Sequence, residues 1–319
     1  MQSTALKKLA SGLLTTLRIS KTKTLSPKPL PLIYGEGLSV IDMRRFFLFV
    51  LVVVNVLVPV STHAQRYQQL VKRGLEQLQA DSLLQAEATF REAMDVDPLI
   101  KSNALLYQYI GNIQERKGEY QKALDSYKMG LTISATTTSL LLCRAALYLR
   151  LDNQDRAMAD YTEVLNLEPD QTEALFFRAY LYSQRRDYKR ARVDYDRLIK
   201  LEPMNEKARL GLAILNDKDR RPREAMEQLD ALVQLFPSHA ELYLVRGGMY
   251  LGRKQYELAQ ADIEHAIELE PDNPDCYISR SQLYKALKKK KLAQADAKRA
   301  IRLGADPSFL NATFVKKMQ

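Results

Sequence analysis

Tryptophan is absent from these 319 residues, and histidine and cysteine nearly so, at three and two. Cys143 and Cys276 stand four repeats apart in the register set out below, far beyond the roughly 7 Å between Cα atoms that a disulfide spans. With His63, His239 and His265 they supply neither a disulfide framework nor a Cys/His metal site, so no metal is expected. Local signatures of chemistry are missing as well: no G-x-x-x-x-G-K-[ST], G-x-G-x-x-G, H-E-x-x-H, C-x-x-C or G-x-S-x-G occurs. His239 and His265 have no candidate nucleophile in register beside them and read as solvated surface residues. Neither an enzyme nor a cofactor is expected.

An excess of either charge is also lacking over most of the chain. The net charge is +10, but residues 1–64 hold eight Lys and Arg against Glu36 and Asp42, which leaves +4 for the remaining 255 residues. That is too mild for a general phosphate-binding surface, and nucleic acid is not the expected partner.

What is present is a period. Ala86, Ala123, Ala157, Ala191, Ala225, Ala259 and Ala293 are separated by 37 residues once and by 34 five times, the one exception being an insertion of three near Pro98 to Asn103. Four residues after each alanine stands Phe90, Tyr127, Tyr161, Tyr195, Leu229, Ile263 or Ala297, and three further on Ala93, Gly130, Val164, Leu198, Leu232, Ala266 or Ala300. Spacings of four and seven share one helical face, so each unit carries a helix with a buried stripe. Pro98, Pro169, Pro203, Pro237 and Pro271 end it, because proline cannot continue a helix and pushes the residue before it out of the α region. Twelve residues before each alanine lies a small residue (Gly74, Gly111, Ala145, Ala179, Ala213, Gly247, Ser281), which lets an earlier helix approach closely. Three further on, Tyr148, Tyr182, Tyr250 and Tyr284 are expected to fill the gap between one pair and the next. One such pair cannot bury its apolar face alone, so stacking is required.

The stretch "RAYLYSQRRDYKRARVDYDRLIKLEP" and its counterparts resemble the tetratricopeptide repeat, over about three quarters of the chain. The period of 34 separates them from the 35-residue pentatricopeptide RNA binders. The resemblance implies an all-α, right-handed superhelical solenoid of about seven helix-turn-helix units, near residues 67–100, 104–137, 138–171, 172–205, 206–239, 240–273 and 274–307, with 308–319 as a tail. It departs from the pattern at Ala297, where an aromatic is missing, after the second unit, where "LTISATTTS" replaces the proline, and around Gln77.

Arg144, Arg178, Arg246 and Arg280 each stand sixteen residues before an aspartate, Asp160, Asp194, Asp262 and Asp296. In two other units both members are replaced together, by Ile110 with Ser126 and by Leu212 with Gln228. Joint gain and loss is the mark of an ion pair tying one helix to the other. Arg73 opposite Thr89 breaks the rule.

The resemblance also implies a concave groove lined by the first helix of each unit. Carried over, its wall includes Leu142, Phe176, Phe177, Tyr180, Leu210, Ile214 and Leu244, an apolar and aromatic set. Two accounts stand: these side chains pack against the chain's own surroundings, or they receive an extended or helical segment of another protein. A chaperone-tail receptor is disfavoured, since of its Lys and two Asn only Asn112 has a counterpart. Residues 285–302, "KALKKKKLAQADAKRAIR", carry eight positive charges against Asp296, as a solvated cap or as a contact for an anionic surface.

Residues 43–64 read as an export signal: Arg44 and Arg45, an apolar run from Phe46 to Val60, then Thr62-His63-Ala64 before Gln65. A helix over that run is about 22 Å long, short of a roughly 30 Å hydrocarbon core, which favours a cleaved signal over an anchor at 46–60. The basic, Ser- and Thr-rich residues 1–42 then precede the true start. The expected protein is a non-catalytic interaction scaffold, periplasmic or envelope-associated in a Gram-negative cell. The alternatives are an accessory subunit anchored in the inner membrane and a nucleic-acid-binding solenoid.

Overall fold

Two helices and two turns recur seven times in the computed structural model, which describes residues 62–307. The chain divides into two compact units. The helices up to Pro169 are α1 (62–79) with α2 (Leu83–Val96), α3 (Asn103–Arg116) with α4 (Tyr120–Ile133), and α5 (Thr138–Arg150) with α6 (Gln154–Leu167). From Asp170 onward come α7 (Thr172–Gln184) with α8 (Tyr188–Leu201), α9 (Glu206–Lys218) with α10 (Pro222–Leu235), α11 (Ala240–Gly252) with α12 (Tyr256–Leu269), and α13 (Pro274–Ala286) with α14 (Lys290–Arg302). Among the described residues there is no strand, and the fold is an all-α repeat array. The extension 1–42, the apolar run 46–60 and the tail 308–319 lie outside the described residues; Thr62, His63 and Ala64 already belong to α1. Among the described residues no helix is long and apolar enough to cross a membrane.

The core follows the period. All seven register alanines are fully buried, and so is the larger side chain four residues after each of the first six. The small residues of the first helices lie against those side chains: a Cβ added at Gly74 would stand 2.5 Å from the Phe90 ring, and one at Gly111 would meet Tyr127. Close approach of this kind is why a small residue stands at this position in every unit.

Every pair is joined by the same turn. Asp81, Gly118, Asp152, Arg186, Arg220, Lys254 and Lys288 all adopt the left-handed conformation, with φ between 58° and 78°. The next residue donates its N–H five positions back, from Ser82 to Gln77 at 2.8 Å, from Asn153 to Tyr148 at 2.8 Å and from Lys289 to Tyr284 at 2.8 Å. This is the Schellman closure, in which a left-handed residue satisfies the last carbonyls of the first helix. Only one of the seven positions is glycine, so the turn holds six residues with side chains in a conformation that is costly for them.

Between pairs the second helix ends in an extended residue before proline, as at Glu168 (φ −129°, ψ 84°) and Glu202 (φ −126°, ψ 81°). Ser134 takes nearly the same geometry (φ −144°, ψ 92°) although no proline follows. There Thr137 closes the turn, its hydroxyl donating to Ser134 Oγ at 2.8 Å. The three-residue insertion is held by Asn103, which donates to the Asp97 carbonyl at 2.7 Å and accepts from the Tyr67 hydroxyl at 3.1 Å.

Candidate functional site

Two features of the first helices matter for function: how each is tied to its partner helix, and what its other face presents. In four pairs the tie is ionic. Arg144 grips Asp160 with Nε and Nη2 at 2.8 and 2.7 Å. Arg178 holds Asp194 at 2.7 and 2.8 Å, Arg246 holds Asp262 at 2.8 and 2.7 Å, and Arg280 holds Asp296 at 2.8 and 2.9 Å. Each is a two-pronged match of guanidinium to carboxylate. The aspartates are buried, and the contact raises each arginine's already high pKa. Arg246 reaches Asp230 as well, at 2.9 Å.

The other three pairs use a neutral tie drawn from one helical turn later. Thr89 donates to Gln77 Oε1 at 2.7 Å, Ser126 to Gln114 Oε1 at 2.7 Å, and Asn216 to Gln228 Oε1 at 2.9 Å. Arg73 is therefore no exception: it is exposed, and Gln77 does the bonding. The position of Gln77, Gln114 and Asn216 is tyrosine wherever the tie is ionic. Tyr148, Tyr182 and Tyr284 lie beside the guanidinium at 6.0, 5.9 and 5.9 Å, a cation–π distance. These rings are half-buried and cover the ion pair rather than simply filling a gap.

The other face is uneven. In the unit before Pro169 it is polar: Tyr127 donates to Asn112 Oδ1 at 2.7 Å, Gln108 accepts from Ser139 at 2.7 Å, and Glu115 pairs with Arg150 at 3.2 Å. Leu142 and Cys143 are partly open beside them. In the unit from Asp170 it is apolar and covered. Phe176, Phe177, Tyr180, Leu210 and Ile214 are all exposed by 3% or less, whereas Leu244 is partly open. Phe176 meets Phe177 and Tyr195 edge-to-face at 5.3 and 6.0 Å. Five of the seven wall residues are thus buried, and only Leu142 and Leu244 present open surface.

Polar groups in and behind this wall lack partners among the described residues. The hydroxyls of Ser183 and Tyr195 are buried without a hydrogen bond among the described residues. Glu173, in the first turn of α7, has no counter-charge or hydrogen-bonding partner there, and burial pushes its carboxyl up from 4.5 to about 7. Burial likewise lowers the Lys218 ammonium below its usual range. Neither residue stands out in the sequence, because desolvation depends on what the fold stacks around a side chain.

The Glu173 shift has a sign that can be checked. The folded carboxyl keeps its proton to about pH 7 while the unfolded one loses it near 4.5, so between these values the native state binds the more protons. Its contribution to stability is complete below pH 4.5 and lost as pH rises through 7. Glu173→Gln is expected to flatten that part of the stability curve, with denaturant unfolding at pH 5 and pH 8 showing a larger drop for the wild type. Equal drops would mean that Glu173 is solvated.

His239 Nδ1 lies 2.6 Å from Glu206 Oε2 with its ring stacked on Phe236, and His265 Nδ1 lies 3.2 Å from Glu268. Among the described residues no group of three His, Cys, Asp or Glu is placed to hold a metal.

Models of the tetratricopeptide repeat match residues 144–171, 179–240, 210–274 and 274–306. No curated protein matches the chain. Among solved structures, a tetratricopeptide repeat protein from Parabacteroides merdae aligns with a TM-score of 0.71 at 29% identity, over 80% of this chain and 100% of that one. The Cut9–Hcn1 hetero-tetramer of the APC/C aligns at 0.55 and 13% identity, over 81% of this chain and 54% of that one, a likeness of fold alone.

Proposed function

The chain belongs to the tetratricopeptide-repeat family, a fold of protein–protein interaction, and from that premise we propose that it is a non-catalytic scaffold of the cell envelope that holds a segment of another protein against its first helices. The observation that carries this reading is the wall of α7 and α9. It sets the buried Phe176, Phe177, Tyr180, Leu210 and Ile214 beneath Glu173 and Ser183, whose polar side chains have no partners among the described residues. An amphipathic or extended segment laid on that face brings backbone N–H groups for the polar side chains, while the buried apolar set holds the face in shape. Leu244, partly open, is where such a segment is first met. The basic last unit meets an anionic surface.

The export reading supports the envelope location and is tested separately. Sequencing the amino terminus of the purified protein is expected to give Gln65; a terminus upstream of Phe46 would replace the cleaved signal with the anchored alternative. For the site, a photo-reactive amino acid at Leu244 is expected to cross-link a defined partner that the same group at Leu258, exposed on α12, does not. Identical products from both positions would overturn the proposed face.

A further inference from the structure

Exposed cations are most concentrated in the last helix pair. Lys285, Lys288, Lys290, Lys291, Lys298 and Arg302 are all exposed and none forms an ion pair among the described residues. The remaining cations of that pair are engaged, Arg280 by Asp296 at 2.8 Å and Arg299 by Asp272 at 3.3 Å, while Lys289 lies 5.9 Å from the Tyr284 ring. The contrast is also one of totals: residues 65–284 hold 30 basic and 34 acidic residues, and residues 285–302 hold eight and one.

These lysines do not serve the helix they begin. Lys289 is the N-cap residue of α14 and offers no side-chain acceptor, and Lys290 and Lys291 follow it with no acid in the first turn. Cations at a helix N-terminus oppose its dipole. Among the corresponding helices α6 and α8 carry a capping acceptor, Asn153 and Asp187, whereas α2, α4, α10 and α12, like α14, have none. What sets this turn apart is its run of exposed lysines with no anion beside them.

We propose that the α13–α14 turn and the start of α14 dock on a bilayer rich in anionic phospholipid; this rests on the anionic-surface reading of the last unit. Three observations select lipid over nucleic acid. The free cations are lysines with a single arginine, point charges suited to a diffuse field rather than the forked groups that read phosphates in pairs. Leu292, 47% exposed, follows directly on the lysine run and gives the turn an apolar residue for the boundary between headgroups and acyl chains. The nearby rings able to stack on bases are occupied, Tyr284 by Arg280 and Lys289 and Tyr277 by Arg280 and Arg299.

The test is co-sedimentation of the full chain with vesicles of phosphatidylcholine alone or with one third phosphatidylglycerol. The apolar run 46–60 would bind either vesicle, so the readout is the ratio between them. Each lysine near an anionic membrane is worth about fivefold, so Lys288→Gln, Lys290→Gln and Lys291→Gln together are expected to lower the ratio by about a hundredfold. Leu292→Ser is expected to weaken vesicle binding and to leave binding to polyglutamate or a DNA duplex unchanged. All four positions are exposed, and a helical spectrum like that of the wild type checks the fold. An unchanged vesicle ratio in the triple variant overturns the lipid proposal. If that variant instead loses only polyglutamate or duplex binding, the lipid proposal falls and the anionic-surface reading stands. If the wild type prefers no anionic probe, both fall.

Discussion

Phe177→Ala is expected to cost about 3–5 kcal/mol, measured as a lower denaturant midpoint with the slope little changed. The ring is fully buried, packs edge-to-face on Phe176, and sits on a helix with eight of its thirteen residues buried. Removing it leaves a cavity that neighbours locked in helix pairs cannot collapse to fill. Phe177→Leu, which keeps most of the volume, is expected to cost about 1 kcal/mol. A loss below about 1 kcal/mol for the alanine variant would show that the ring is not packed in a core. The same burial decides how partner binding is to be tested. Polar replacement of Phe176, Phe177 and Tyr180 would unfold the unit and report nothing about a partner, whereas Leu142 and Leu244 can be changed on a folded protein.

Asp194→Ala is expected to cost about 3 kcal/mol or more, because it leaves the Arg178 guanidinium largely buried without its carboxylate. The side chains are exposed by 20% for Arg178 and 5% for Asp194, so water cannot fully substitute. A rescue separates the value of the tie from the penalty of stranding. Changing Arg178→Leu, Tyr182→Asn and Asp194→Gln together installs the neutral tie made by Leu212, Asn216 and Gln228. That triple variant is expected to regain most of the loss and to lie within about 1.5 kcal/mol of the wild type, consistent with the finding that buried ion pairs are often replaceable as a set. If Asp194→Ala alone costs less than about 0.5 kcal/mol, the pair is solvated.

The repeat was legible because its causes are periodic. A buried alanine followed at four and seven by larger side chains repeats every 34 residues, and the proline stops fall at one phase. The ionic ties were legible through their joint replacement. The neutral ties were not, because their acceptor comes from the residue four later than the arginine, so that Arg73 opposite Thr89 looked like an irregularity. The clue was present: tyrosine occupies that later position in all four ionic units, and Gln77, Gln114 or Asn216 in the other three. The wall was legible as a set of residues and not as a state. A position on the concave side can be apolar whether or not it is covered, and the burial of Phe176 or the rise in the Glu173 pKa depends on what surrounds it in space. The left-handed turns were hidden for a similar reason, since six of the seven residues that adopt them are not glycine.

The two kinds of tie bear on how such an array grows. Passing from one to the other takes three coordinated changes, and the intermediates strand a charge. Duplication avoids that path: both members of each tie lie within a single unit, sixteen residues apart in the ionic form and twelve in the neutral form. A copied unit arrives with its interior already consistent. Lengthening the array by whole units is therefore an easier step for this sequence than converting one tie into the other, and the mixture of two ties along one chain is what separate copying of two parent units would leave behind.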